Sequence, residues 1–355
     1  MNKWITTTNI LGPSGDPAVK ARADITKIAE TIGYQPLNIF PYNDTGETHE
    51  EKASRIDGIT ANVISGDIVI IQYPMANSHL FSSYLIDRMN MRGVHTIVLM
   101  HQFDSGKLDN TKDDFVETNY LNKATAVIVH GKDMIERLQQ ADVETPIVDA
   151  SLFDHLDDLH SWDHYETHLS DFRRELIVTG DLMSLPFLAN WSATTPIMPF
   201  GLADDKLMNA MQKNPQVHYG GNIYHWDLVE TITRGFGLEW ISSTEMTPEQ
   251  ETAHQLRLAF YIAHGLPVVV SATDHQAKLI VQNKLGFAIE SLQSLDDVMQ
   301  NSSDEAMATV LDHTARVGQL MRDGWFTTNA LLQVERLALM PLFSTAGADI
   351  FPTSI

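Results

Sequence analysis

Short apolar runs alternate with helical patterns along almost the whole chain. In the first half, runs at 4–10, 37–40, 67–72, 95–100 and 126–130 are β-branched or aliphatic, as expected of parallel strands covered on both faces. Between them lie helical patterns such as 17–32, where Asp16 suits the N-cap, Pro17 the first turn and Gly33 the stop. The second half repeats the scheme, with strand candidates at 176–180, 196–200, 217–220, 237–240, 268–271 and 287–289. Helices are predicted there at 248–264, behind a Thr247 cap, and at 276–283. Strands alternating with helices predict doubly wound α/β sheets, one in each half. A His- and Asp-rich stretch with weak periodicity, 151–175, reads as the junction. Two such sheets facing across a cleft form a natural small-ligand site.

Composition narrows the class. With 355 residues, two domains are expected, each large enough for its own core. The absence of cysteine excludes disulfides and thiolate metal sites. A net charge of −22 argues against nucleic acid as a partner, because a phosphate backbone requires clustered Lys and Arg. No run approaches the ~20 apolar residues of a membrane span, and no export leader is legible, so a cytoplasmic location is expected. The histidines show no metal-ligand spacing; His155, His160, His164 and His168 recur as on a solvated helix face, with a metal patch the lesser reading.

The most informative run is 254–280, HQLRLAFYIAHGLPVVVSATDHQAKLI. It reads as an amphipathic helix, a Gly-Leu-Pro break, an apolar strand and a polar turn opening another helix. Such a strand-to-helix turn can present backbone N–H groups and a helix dipole to a phosphate. Arg257 lies on the preceding helix, within reach of the same place. Thr273, Asp274, His275 and Gln276 make the turn, and an ordinary helix cap by Thr273 or Asp274 is compatible with that role.

Five segments in order, TNILGPSGDPAVKARADI (8–25), IIQYP (70–74), TAVIVHGKDM (125–134), GFGLEW (235–240) and YIAHGLPVVV (261–270), carry a resemblance. Together they resemble the glucosyltransferases that extend O-linked N-acetylglucosamine (GlcNAc) on serine-rich-repeat adhesins of streptococci and lactobacilli. Members are often labelled β-1,6-galactofuranosyltransferases. The resemblance implies a GT-B fold of two Rossmann-like domains: 1–160 on the acceptor side, joined by a returning segment 326–355, and 170–325 binding the nucleotide sugar. It also implies a UDP-sugar donor (UDP-glucose first, UDP-GlcNAc second) and a GlcNAc-bearing adhesin acceptor. Further implications are inversion, no metal, no cofactor, and a homo-oligomer, a dimer or tetramer, to which the apolar tail 342–355 would contribute.

Carried over residue by residue, Arg257 stands where the family commonly has a lysine near the donor diphosphate. Arginine keeps the charge and adds a bidentate fork. Gly180–Asp181 stands where the family shows Gly-Asn, which leaves the role of Asp181 open. Tyr219 and Gly220 would contact base or sugar, with a core aromatic the equal alternative. Ser14 and Gly15, in the loop after the first strand, resemble the family's loop near the reacting centre. His101 and Asp104 occupy the family's His-Asp position as His-Gln-Phe-Asp. His101, Asp16 and Asp104 are therefore the candidate bases, His101 slightly ahead, against structural roles as a bonded histidine and a helix cap. The rival readings are a non-catalytic glycosyltransferase-like subunit and a bilobal sugar-binding protein.

Overall fold

The structure, a computed structural model, describes residues 1–8, 16–103, 116–157, 169–223, 228–229, 231–232, 234–240 and 246–340. Ser14, Gly15 and Asp104 lie outside these residues, as do His160, His164, His168 and the tail 342–355. The chain divides into two compact units, Met1–Asp154 with Gly324–Ile355, and His155–Asp323.

The first unit is built on a six-stranded parallel sheet of order β2-β1-β3-β4-β5-β6. Its strands are β1 (Lys3–Thr8), β2 (Tyr34–Ile39), β3 (Ile68–Tyr73), β4 (His95–Met100), β5 (Ala126–Val129) and β6 (Ile147–Asp149). Every residue of β3 and β5 is buried, as central parallel strands require. Pro36 is tolerated inside β2 because β2 is an edge strand with only β1 beside it. Capping chemistry starts the helices where the sequence marks them. Asp16 accepts the amide of Ala18, and Thr48 and Glu51 form a capping box for His49–Ile59. The helix Trp325–Leu339 packs on β5, β6 and Pro17–Thr31 of this unit. Lys3 pairs with Glu335 at 2.9 Å, and the buried Asp154 accepts the amides of Phe326 and Thr327 at 3.3 and 2.6 Å.

The second unit holds a five-stranded parallel sheet of order β11-β10-β9-β7-β8. Here β7 is Leu176–Asp181, β8 Ile197–Leu202, β9 Phe236–Glu239, β10 Val268–Ser271 and β11 Gly286–Ile289. The expected strand at 217–220 forms no ladder; Val217 and Gly221 make only isolated bridges to β8. The segment still runs along β8, with His218 N donating to Ile197 O at 2.8 Å and Gly220 N to Pro199 O at 2.9 Å, but Pro199 has no N–H to give back and the ladder is interrupted there. The helix Pro248–Ala263 carries the Thr247–Gln250 capping box and ends before Gly265 at φ +73. The next helix is shorter than expected, Ala277–Gln282.

Candidate functional site

In parallel α/β sheets ligands gather at the carboxyl ends of the strands. Register sets that edge in the second unit: Val270 of β10 lies beside Glu239 of β9, and β9 runs beside β7, which ends at Gly180–Asp181. Pro248–Ala263 lies over this edge because Gly237 has no side chain. A Cβ there would sit 2.3 Å from the ring of Tyr261. With the ring seated, the Tyr261 hydroxyl accepts the Thr179 amide at 2.9 Å and meets the Thr179 hydroxyl at 3.1 Å. This explains in packing terms the pairing of the GFGLEW and YIAHGLP segments.

His254 and Arg257 project from that helix one turn apart. Arg257 Nε and Nη2 donate to Glu239 Oε1 and Oε2 at 2.6 and 3.0 Å, a bidentate fork. His254 Nδ1 lies 2.9 Å from Glu239 Oε2, and its Nε2 forms an ion-pair contact with Asp274 Oδ2 at 2.8 Å without hydrogen-bond alignment. Asp274 Oδ1 in turn accepts the amide of Gln276 at 2.7 Å. The result is a chain, Arg257–Glu239–His254–Asp274–Gln276, running from the strand edge into the turn. Neither Glu239 nor His254 is among the site residues expected from sequence. An acid closing an otherwise apolar strand, and a His–Arg pair at i, i+3, are the signals that mark them.

Arg257 faces β7. A Cβ on Gly180, at φ +114, would lie 3.5 Å from its Cδ and 3.7 Å from Nη1. Among the described residues Nη1 has no hydrogen-bond partner. Asp181, exposed beside it, accepts the amide of Met183 at 3.1 Å and adds to the field on Arg257. The structure thus brings Gly180, Asp181 and Arg257 together, with Asp274 and Gln276 wired to them through Glu239 and His254. Tyr219 and Gly220 stand by β8, on the other flank of β7, where Tyr219 donates to Gly201 O at 2.8 Å.

The turn differs from the expected cradle of free amides. Ala272 N donates to Ile289 O, Thr273 N to Ser271 Oγ and Asp274 N to Ser271 O, while Gln276 N and Ala277 N bond Asp274. The short polar residues close the turn on themselves, as such residues do. Thr273 and His275 are exposed, whereas Asp274 and Gln276 are buried.

Burial alone would raise the Glu239 carboxyl, but Arg257 and His254 hold it below the ordinary range. Burial likewise opposes charge on His254, yet Asp274 and Glu239 push its pKa up to about 9. A raised folded-state value gives a definite sign. The contribution of His254 to stability is complete below the unfolded value near ~6.5 and is lost as pH rises through about 9. Urea unfolding of the wild type should therefore show a stability decline between those values that His254→Gln lacks. Parallel pH profiles would refute it.

In the first unit, Asp16 caps its helix and His101 follows β4. His101 is buried, its amide donating to Tyr73 O at 2.8 Å and its ring lying 2.9 Å from Gln72 Oε1 through Nε2. Gln72 Nε2 donates to Thr6 O and Thr26 Oγ1, both at 3.0 Å, so its oxygen is the atom facing His101. His101 Nε2 is therefore the protonated nitrogen, and Nδ1 carries the lone pair. Burial, with the positive field of Arg22, holds its pKa well below the ordinary value, which keeps the ring neutral.

Two parallel-sheet α/β units in one chain are the architecture of the GT-B fold. Residues 2–152 match the Glucosyltransferase 3-like N-terminal domain, and residues 176–334 the Glucosyltransferase 3-like C-terminal domain. Glucosyltransferase 3 of Streptococcus gordonii is 28% identical over 343 residues, covering 92% of this chain and 97% of its own. The β-1,6-galactofuranosyltransferase WbbI of Escherichia coli K12 is 20% identical over 329 residues, covering 90% and 94%. The fold matches an E. coli structure described as trehalose-6-phosphate bound with UDP-2-fluoro glucose, with a TM-score of 0.60 at 9% identity, covering 96% of this chain and 99% of the other. It also matches an α-glucosyltransferase in complex with UDP, with a TM-score of 0.55 at 11% identity and coverage of 94% and 99%. The chain belongs to the Glucosyltransferase 3-like family.

Proposed function

We propose that this glycosyltransferase moves a hexose from a UDP-sugar, UDP-glucose before UDP-GlcNAc, to the GlcNAc of a modified serine-rich-repeat adhesin. The transfer inverts the anomeric centre and uses no metal. The carrying observation is Arg257: its guanidinium is fixed by Glu239, and Nη1 is turned toward a strand edge that Gly180 leaves without a side chain. A fork held on one side by a carboxylate can offer its remaining N–H groups to a diphosphate. As the donor C–O bond breaks, that cation stabilises the negative charge gathering on the leaving UDP. His101, as a neutral imidazole whose Nδ1 holds the lone pair, is the candidate to take the acceptor hydroxyl proton. The names of the family relatives support the sugar, and the UDP-bound structures of the same fold support the donor nucleotide.

Arg257→Ala is expected to weaken UDP binding about 10- to 100-fold, the worth of one charge-assisted contact. Isothermal calorimetry measures it, and unchanged affinity would remove Arg257 from the site. Mass spectrometry of a GlcNAc-bearing adhesin peptide incubated with several UDP-sugars tests the transfer itself. The burial of His101 favours a second reading, a non-catalytic subunit; UDP binding without transfer to any acceptor would select it.

A further inference from the structure

Two buried carboxylates, Glu239 and Asp274, approach the two ring nitrogens of His254 from opposite sides. They come from different elements, the end of β9 and the turn after β10, and each also holds a residue of the proposed donor site. Glu239 grips Arg257, and Asp274 closes the turn through the Gln276 amide. A carboxylate only accepts, and a neutral imidazole has one N–H to give. Either neutral tautomer would leave a lone pair against a carboxylate at 2.8 or 2.9 Å. The approach of a carboxylate to each ring nitrogen, aligned as a hydrogen bond at Glu239 and as a close ion-pair contact at Asp274, matches the doubly protonated ring.

We propose that His254, as a permanently charged imidazolium at working pH, is a positioning residue for nucleotide binding. It shares Glu239 with Arg257 and ties that fork to the turn 271–276. The inference rests on the donor-site reading above.

Charge counting shows what the ring adds. Glu239 faces it from β9 and Asp274 from the turn; Arg257 and Tyr261 stand on its own helix, and Asp181 acts on Arg257 from β7. With His254 charged, Glu239 and Asp274 are balanced by His254 and Arg257, leaving Asp181 as the excess. With a neutral ring, a second negative charge would stand beside the place where a diphosphate must come, and Glu239 would draw on Arg257 alone. The pKa of about 9 agrees with the geometry.

The first measurement uses the wild-type protein. Nitrogen-15 spectra at pH 8 should show a histidine ring with both nitrogens protonated, tied to residue 254 by through-bond correlation. Ordinary histidines are neutral at that pH, so the signature is distinctive. A neutral His254 would overturn the proposal whether or not any variant folds. The second measurement is a calorimetric cycle with UDP at pH 7.5 on wild type, His254→Gln, Arg257→Ala and the double variant. His254→Gln should lower affinity about tenfold, and the double variant should bind no more weakly than Arg257→Ala, because the ring acts through Arg257. Additive losses, or unchanged affinity in His254→Gln while Arg257→Ala weakens UDP, would sink the positioning role and leave the donor site standing. No effect from Arg257→Ala would remove the donor site and this proposal with it.

Discussion

Lys52→Met should cost about 3–5 kcal/mol of stability, the loss expected when one partner of a buried ion pair is removed. Lys52 and Asp44 are 1% and 2% exposed, and the ammonium bonds the Asp44 carboxylate and, at 2.9 Å, its carbonyl. Asp44 also accepts the Ser78 amide at 2.9 Å and the Ser78 hydroxyl. The pair therefore joins the loop after β2 to the helix cap after β3, at the carboxyl edge of the first sheet. Methionine keeps the stem volume and leaves Asp44 charged without its cation. Adding Asp44→Asn should recover part of the loss. Burial opposes the charge on Asp44, but Lys52 and Ser78 hold its pKa below the usual carboxylate value. The contribution of Asp44 is hence present above pH ~4 and is lost as pH falls through its depressed value. Urea unfolding at pH 7 within about 1 kcal/mol of wild type would refute the assignment.

Gly237→Ala is the second large effect. A methyl at 2.3 Å from Tyr261 Cγ and Cδ2 forces a fully buried ring off the strand. Overpacking alone costs about 1–3 kcal/mol. Displacing the ring also breaks its bonds to Thr179, and leaving that buried amide unpaired adds about 1–3 kcal/mol. A total of about 2–6 kcal/mol is expected, together with weakened UDP binding, because His254 and Arg257 ride on the same helix. Chemical denaturation and calorimetry check the two parts. A variant with wild-type stability would show that the helix does not need contact with β9.

The sheets were legible because parallel strands buried on both faces leave plain apolar runs, as IVII in β3 and VVV in β10 show. Strand edges were less so. The ladder of β2 begins at Tyr34, three residues before the expected start, because an edge strand admits Gln35 and Pro36. The three-residue β6 was too short to declare itself. At the site, Arg257, Gly180 and Asp181 were named by carry-over from the family resemblance, and the fold brings the three to one strand edge. Glu239 and His254 left only faint signals, because a buried ion pair joins residues 15 apart whose types alone suggest solvent. The polar turn at 271–276 misled for a related reason. Short side chains that suit a phosphate loop are equally suited to bonding their own backbone, and here they do.

The clamp of Glu239 on Arg257 has a thermodynamic corollary. A long, flexible cation normally loses rotamer freedom when its ligand arrives; this one has already surrendered that freedom during folding. Capture of an anion should accordingly carry little ordering penalty at this side chain. A lysine could bond both the acid and the incoming anion with its three N–H groups, but as a flexible point charge it would lack the planar fork by which Glu239 fixes the bearing of Arg257.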